Sequence, residues 1–271
     1  MLLKPLDVLS EIMLLNRDNS KKFTVTDRLD KINTLLWNSR YRRLNAQGLF
    51  HLFGVCPIEN IDKPIILVSS HVDCEAGIHK CFTREENDDL LFGTYDNCIT
   101  NAAILYLMLE DKLPNNVLIS FTGDEEINDN GAKQTCKYFD TKNRKIFCVA
   151  VLDVTYMGWN ERADFTVENN FWQRHLGTKV INVAEQTRNK WCFVPEDPDD
   201  IPSYVNRENV INTEADCDES WLYNELNKQC FSVCLPVNGP MHSDKGVFAR
   251  RDSFTNYIES LRLILQNIAN L

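Results

Sequence analysis

Four apolar runs in this 271-residue chain each lead into an acid or a histidine. Residues 65–68 lead to His71 and Asp73, 117–121 to Asp124, Glu125 and Glu126, and 147–152 to Asp153. The run 231–235 leads up to His242, and Asp96-Asn97 adds an acid at the mouth of a helical pattern. Imidazole nitrogens mixed with carboxylate oxygens are donors that suit Zn²⁺, with Mn²⁺ or Co²⁺ as alternatives. The chemistry such a set supports is metal-assisted hydrolysis, in which a cation acidifies a water and a carboxylate takes its proton.

Each group also has a plainer reading. His71 and Asp73 fall on one face of an extended segment, since strand side chains repeat every two residues. Asp73 is then placed to orient the second ring nitrogen of a metal-bound His71, although a lone His-x-Asp is a common accident. Glu125 and Glu126, read as extended, point to opposite sides. One can bind a cation while the other faces the substrate water; the alternative is an acidic surface turn. Asp96 serves as a helix cap or as a carboxylate between two cations. Asp153, at the end of a buried run, requires a partner, because an unpaired buried charge is costly. His242 alone would be an ordinary surface histidine. His51, His79 and His175 lack a comparable setting and read as surface or packing residues.

The elements that must hold these groups follow from hydrophobic periodicity. Helical spacing covers 5–17, 26–45, 97–111, 130–139, 179–188, 219–227 and 253–269, with Asp252 or Ser253 as the cap of the last helix. Residues 40–43 then lie on a solvated helix face. Strand patterns cover 48–56, 65–70, 117–122, 146–152, 164–167, 191–194 and 230–235, with a short run at 90–92. Acidic loops fill 83–89 and part of 195–213. Continuous apolar strands without alternation suit a sheet covered on both faces. Strands alternating with helices predict an α/β fold, three-layered α/β/α with a mixed, largely parallel central sheet. In such sheets ligands sit beyond the carboxyl ends of the strands, where these acids and histidines fall.

The remaining numbers narrow the class. A net charge of −10 without a lysine or arginine cluster argues against nucleic acid and anionic membranes as partners. No run reaches the length needed to span a bilayer, and the N-terminus reads as an amphipathic helix rather than an export signal. Cys136, Cys148, Cys230 and Cys234 lie inside apolar patterns, which predicts buried thiols reduced in a cytoplasm. Cys74 and Cys98 flank candidate ligands, with packing as the default role.

The ordered set His71-x-Asp73, Asp96-Asn97, Glu125-Glu126, Asp153 and His242 resembles the dizinc exopeptidase superfamily over residues 64–265. The resemblance implies a zinc-exopeptidase-like fold and two divalent metal ions, with Asp96 bridging them. It implies His71 and Asp153 on one ion, Glu126 and His242 on the other, Glu125 as general base and Asp73 in support. The implied activity is that of an aminopeptidase cleaving N-terminal peptide bonds of a peptide or small amide substrate. The segment 216–221 is similar to the substrate-side loop of lidless members, with Asp218 near the place of their histidine. His71 to Asp96 spans 96 − 71 = 25 positions and Asp153 to His242 spans 242 − 153 = 89, positions the sheet itself uses. The expectation is therefore one catalytic domain, 1–271, with no inserted lid. Thr122-Gly123-Asp124-Glu125-Glu126 nevertheless looks closer to lidded relatives. Alternatives on the same fold are a single-zinc glutaminyl-cyclase-like acyltransferase, a metal-dependent amidohydrolase or deacylase, and a receptor-like domain that kept the fold. Pocket loops are expected at 83–89, 156–163 and 195–221.

Overall fold

The computed structural model describes residues 4–13, 27–45, 48–75, 78, 80–128, 130–215 and 218–271, without the side chains of Asp27 and Asp218. The architecture is α/β around a mixed sheet. Its centre is four parallel strands in the order β6 (Val117–Thr122), β3 (Ile65–His71), β7 (Ile146–Thr155) and β10 (Cys230–Asn238). Beyond β6 come β2 (Phe50–Gly54) and the edge strand β1 (Arg42–Arg43), both antiparallel. On the other side β10 pairs antiparallel with β8 (Phe165–Phe171), which carries β9 (Trp191–Val194). The far end of β10 also pairs with β11 (Val247–Arg250), continuing to β5 (Leu90–Gly93) and β4 (Thr83–Glu85).

The central strands are apolar throughout because both faces are covered. Ile66 and Val68 of β3 enter one buried cluster, and Ile65 and Leu67 enter the other. On the first face pack α1 (Pro5–Ile12), α2 (Asp27–Leu36), α3 (Cys98–Leu109), α6 (Arg174–Gln186) and α8 (Arg251–Ile268). On the second lie α5 (Asn130–Thr141) and α7 (Asp218–Glu225), with the single turn α4 (Glu125–Asn128) before α5. Helix α3 is buried over nearly its whole circumference, matching its lack of a polar face. Burying each such Leu, Ile or Val contributes about 1.5–3 kcal/mol.

Several local expectations are corrected. The helix expected over 26–45 stops at Leu36, and Arg40–Arg43 form a turn and the edge strand rather than a helix face. The Ser39 hydroxyl bonds Leu36 O and receives Tyr41 N–H, offering the backbone an alternative to the helix. The acidic loop 83–89 is half strand: β4 and β5 form a hairpin closed by Asn87, whose side chain accepts from Asp89 N and Leu90 N. Strand β11 falls in a stretch read as loop; its four residues, Val247–Arg250, alternate in burial but not in residue type, so the sequence carried no strand signal there. Neither Asp252 nor Ser253 caps α8, because Arg250 holds that position and Ser253 Oγ donates to Asp164. Residues 14–17 of the first expected helix lie outside the described residues, as does His79. Among the described residues, no helix is long and apolar enough to cross a membrane.

Candidate metal centre

Because β3, β6, β7 and β10 run parallel, their carboxyl ends share one edge, and the chemistry-bearing residues meet there. His71 is the last residue of β3 and pairs in register with Thr122 at the end of β6. Asp153 lies near the end of β7, opposite Cys234 of β10. Asp96 arrives from the loop before α3, through a cis Asp96–Asn97 peptide. His242 stands in the turn that follows β10.

Glu125 and Glu126 are not extended, as the sequence suggested, but form the first turn of α4. Two acids at a helix start are favoured by its dipole, and helical geometry separates their directions by about 100°. They still diverge: Glu125 Oε2 lies 3.8 Å from His71 Nδ1, and Glu126 Oε2 lies 3.9 Å from His242 Nε2.

Asp96 sits between the two imidazoles. Its Oδ1 is 3.1 Å from His71 Nε2 and its Oδ2 is 3.2 Å from His242 Nε2. Asp153 Oδ1 lies 3.6 Å from the same His71 Nε2. The opposite ring nitrogen of His71 faces Asp73 at 3.5 Å, and the other Asp73 oxygen receives Glu126 N–H at 3.4 Å. Asp73 thus ties the β3 segment to the start of α4.

The electrostatics follow from crowding acids at low exposure. Burial opposes a charged His71, but Glu125, Asp153, Asp73 and Asp96 outweigh it and hold its pKa well above the ordinary imidazole value. Burial would also raise Asp96; contacts with His242 and His71 prevail and hold it well below the usual carboxylate range. Burial and then the Asp96 charge push Glu126 up to about 8. Burial raises Glu125 well above its usual value, with Asp153, Glu126 and Asp96 adding to the effect against His71. Burial raises Asp153 too, against its contact with His71. The contact with Asp96 lifts His242 to about 9 despite partial burial.

This crowd of acids fits divalent cations. Ligand atoms of His71, Asp96 and Asp153 lie within 4.8 Å of one another, as do those of Asp96, Glu126 and His242. A third grouping, His71 with Glu125 and Glu126, meets the same limit. Asp96 therefore belongs to two of the groups. Asp96 Oδ1 and Glu126 Oε1 are buried without a hydrogen bond, a costly state that a cation would relieve. The donors are mixed nitrogen and oxygen, as Zn²⁺, Mn²⁺ and Co²⁺ accept.

Other residues hold this arrangement and, apart from Asn97 and Cys74, were not singled out from the sequence. Asn101 Nδ2 donates to His71 O and to Asn97 O, both at 2.7 Å. Asn97 Nδ2 donates to Leu152 O at 2.6 Å, the residue before Asp153. Asn97, Thr100 and Asn101 are polar residues spaced one turn apart in an otherwise apolar helix start, a signal the sequence did carry. Arg28, fully buried on α2, donates to Ile12 O, to Val72 O and to the thiols of Cys74 and Cys81 at 3.4 and 3.5 Å. Nothing local marks it, since its partners lie 16 to 53 positions away. Gly131 lets α5 close on the loop before Glu125: a Cβ there would meet Leu49 O at 2.5 Å and Gly123 N at 2.6 Å. His51 is buried on β2 beside Asn33, and burial lowers its pKa to about 4. His175 is exposed.

A cavity of about 570 Å³ opens over the cluster. Its apolar wall includes Ile127, Trp221, Leu222 and Met241. Of the loops expected to build it, 83–89 and 156–163 supply none of its lining, and 195–221 supplies Trp221. The walls come instead from α4, α5 and α7, which cover the sheet's second face at its carboxyl edge. Residues 216 and 217 and the Asp218 side chain lie outside the described residues.

No protein-family model matches the sequence, and no curated protein matches it. Solved structures do match in fold. LapA aminopeptidase of Legionella pneumophila superposes with a TM-score of 0.68 at 11% identity, over 98% of this chain and 71% of that one. A TET aminopeptidase from a marine sediment thaumarchaeon gives 0.69 at 12% identity, over 97% of each chain. Aminopeptidase PepT from Bacillus cereus gives 0.66 at 8% identity, over 98% of each. The chain has the α/β fold of these aminopeptidases.

Proposed function

We propose that the chain is a metal-dependent exopeptidase, an aminopeptidase that hydrolyses the N-terminal bond of peptides or small amides. The observation that carries this reading is Asp96 set between two imidazoles, 3.1 Å from His71 and 3.2 Å from His242. His71 and Asp153 would hold one divalent cation, Glu126 and His242 a second, and Asp96 both. Two such ions, Zn²⁺ foremost and Mn²⁺ or Co²⁺ as alternatives, would supply Lewis acidity to the scissile carbonyl and to the attacking water. Asp73 keeps the His71 ring oriented through Nδ1. Glu125, at the cavity wall and without a place in either ligand set around Asp96, takes the water proton on its carboxylate and returns it to the leaving amine nitrogen.

The reading extends to a single catalytic domain over 1–271 without an inserted lid, acting in the cytoplasm on a peptide rather than on nucleic acid or membrane. A single-zinc acyltransferase would leave His71 without a ligand role; the proximity of His71 to Asp96 and Asp153 supports two ions. The test is hydrolysis of amino-acid anilides and short peptides by protein loaded with Zn²⁺ or Mn²⁺, alongside Glu125→Gln. Turnover no greater than that of the variant overturns the peptidase reading, and a saturating stoichiometry of one ion per chain overturns the two-metal form.

A further inference from the structure

Among the described residues, the cavity wall carries six acids, Glu75, Asp96, Glu125, Glu126, Asp153 and Glu225, the two site histidines and a single lysine, Lys133. Among the described residues, Lys133 makes no ion pair, although the chain has ten more acids than bases. Its Nζ donates at 2.5 Å to Asn128 O, at the end of the turn that carries Glu125 and Glu126. Its position does nothing for its own helix. Lys133 stands in the first turn of α5, where the dipole disfavours a cation, and Lys137 follows one turn on with the same charge. Its bond to Asn128 O satisfies the last carbonyl of α4 and fixes the ammonium at the rim of the acidic cavity, where among the described residues no carboxylate neutralises it.

We infer that Lys133 binds a carboxylate of the substrate, which makes the site selective for peptides bearing an acid group within a few residues of the cleaved bond. A free C-terminus on a di- or tripeptide is the source that the dimensions favour. A round cavity of 570 Å³ is about 10 Å across, the span of about three extended residues. A short peptide then presents its ammonium end to the acid-rich floor and its carboxylate to Lys133. A longer or amidated peptide without an acidic side chain near the cleaved bond has no charge to offer there. This inference rests on the aminopeptidase reading for the identity of the substrate, and its test is arranged to separate the two.

Binding is measured by calorimetry on Zn²⁺-loaded Glu125→Gln protein, which cannot depend on turnover. The probes are Leu-Gly-Gly, its C-terminal amide, and Leu-Glu-Gly amide. The free acid is expected to bind about 5- to 20-fold tighter than the amide, the size of one charge-assisted contact in a half-solvated site. The preference disappears when Lys133→Gln is added, returns with Lys133→Arg, and shrinks in 0.5 M salt. Leu-Glu-Gly amide distinguishes the carboxylate's source: recovered affinity shows that a side-chain acid serves, and weak binding assigns the role to the terminus. The same free-acid to amide ratio is then read as kcat/KM in the otherwise unaltered protein and in Lys133→Gln, with circular dichroism confirming the fold. An unchanged ratio in Lys133→Gln, equal binding of acid and amide, or no binding of either overturns the inference. Discriminating binding without hydrolysis of any peptide overturns the aminopeptidase reading and leaves the role of Lys133 standing.

Discussion

The deep and shallow halves of the cluster are built differently. His71 is 2% exposed and closes a central strand, with its carbonyl held by Asn101, the next carbonyl by Arg28, and one ring nitrogen facing Asp73. The His242 side chain is 56% exposed and sits in a turn secured by Met241 N–H donating to Tyr156 Oη at 3.1 Å. The deep half is preorganised by regular elements and buried hydrogen bonds, whereas the shallow half depends on a loop. A preorganised ligand loses little freedom on binding a cation, and a loop ligand must be ordered first. Two ions sharing Asp96 should therefore bind unequally, the shallow one more weakly.

The largest expected effect separates chemistry from ligation. Glu125→Gln should lower kcat by about 10²–10⁴ with both ions retained, and Glu126→Ala should lose the shallow ion. Metal analysis of the purified variants beside their kinetics decides this; equal metal loss in both would mean the adjacent glutamates do not divide the work. Next in size, His242→Ala should keep one ion after dialysis, while His71→Ala should fall below one, because its loss also strands Asp73 and Asp96. Equal ion content in the two histidine variants would break the contrast between halves.

Asn101→Ala probes the deep half's scaffold. It removes the side-chain donor to the buried carbonyl of His71, at a cost of about 1–3 kcal/mol, while the Asn97 carbonyl keeps the backbone N–H of residue 101 and the Thr100 hydroxyl. Urea denaturation of the metal-free protein measures it, and a loss below 0.5 kcal/mol would show that Asn101 is not the anchor described.

A smaller effect concerns pH. Glu126 is raised in the folded state to about 8 and His242 to about 9, so both keep protons that the unfolded chain has released. Stability of the metal-free protein must then fall as pH rises from about 6.5 to 9. His51, lowered to about 4, acts with the opposite sign but only below its ordinary value of 6.5. Ion binding displaces those protons, so Zn²⁺ should stabilise more at pH 8.5 than at pH 6.5. Urea midpoints at the two pH values, with and without Zn²⁺, test it; a flat metal-free profile would contradict the crowding of charge. The smallest effect is Tyr156→Phe, expected to weaken the shallow ion a few-fold and to change stability by less than about 0.5 kcal/mol.

Much of this was legible in the chain, for reasons that differ by residue. The strand ends at His71 and Asp153 could be read because a two-sided buried strand is a continuous apolar run, and parallel order brings such ends together. Glu125 and Glu126 were found as a pair but misread as extended, since four residues are too few for helical periodicity to show. The fate of 40–43 depended on Ser39 competing for backbone bonds, and β4 on a hairpin partner. Arg28 left no trace, because its donors reach backbone and sulfur far away in sequence.

The sequence by itself determined the α/β class, the order of acids and histidines, and their place at strand ends, because these depend on local periodicity and on type. Only the tertiary structure decided that Asp96 stands between two imidazoles, that one half is clamped and the other loop-borne, and that Lys133 enters the cavity. Those are relations between side chains brought within a few ångströms by packing across both faces of the sheet. No spacing along the chain encodes such a distance.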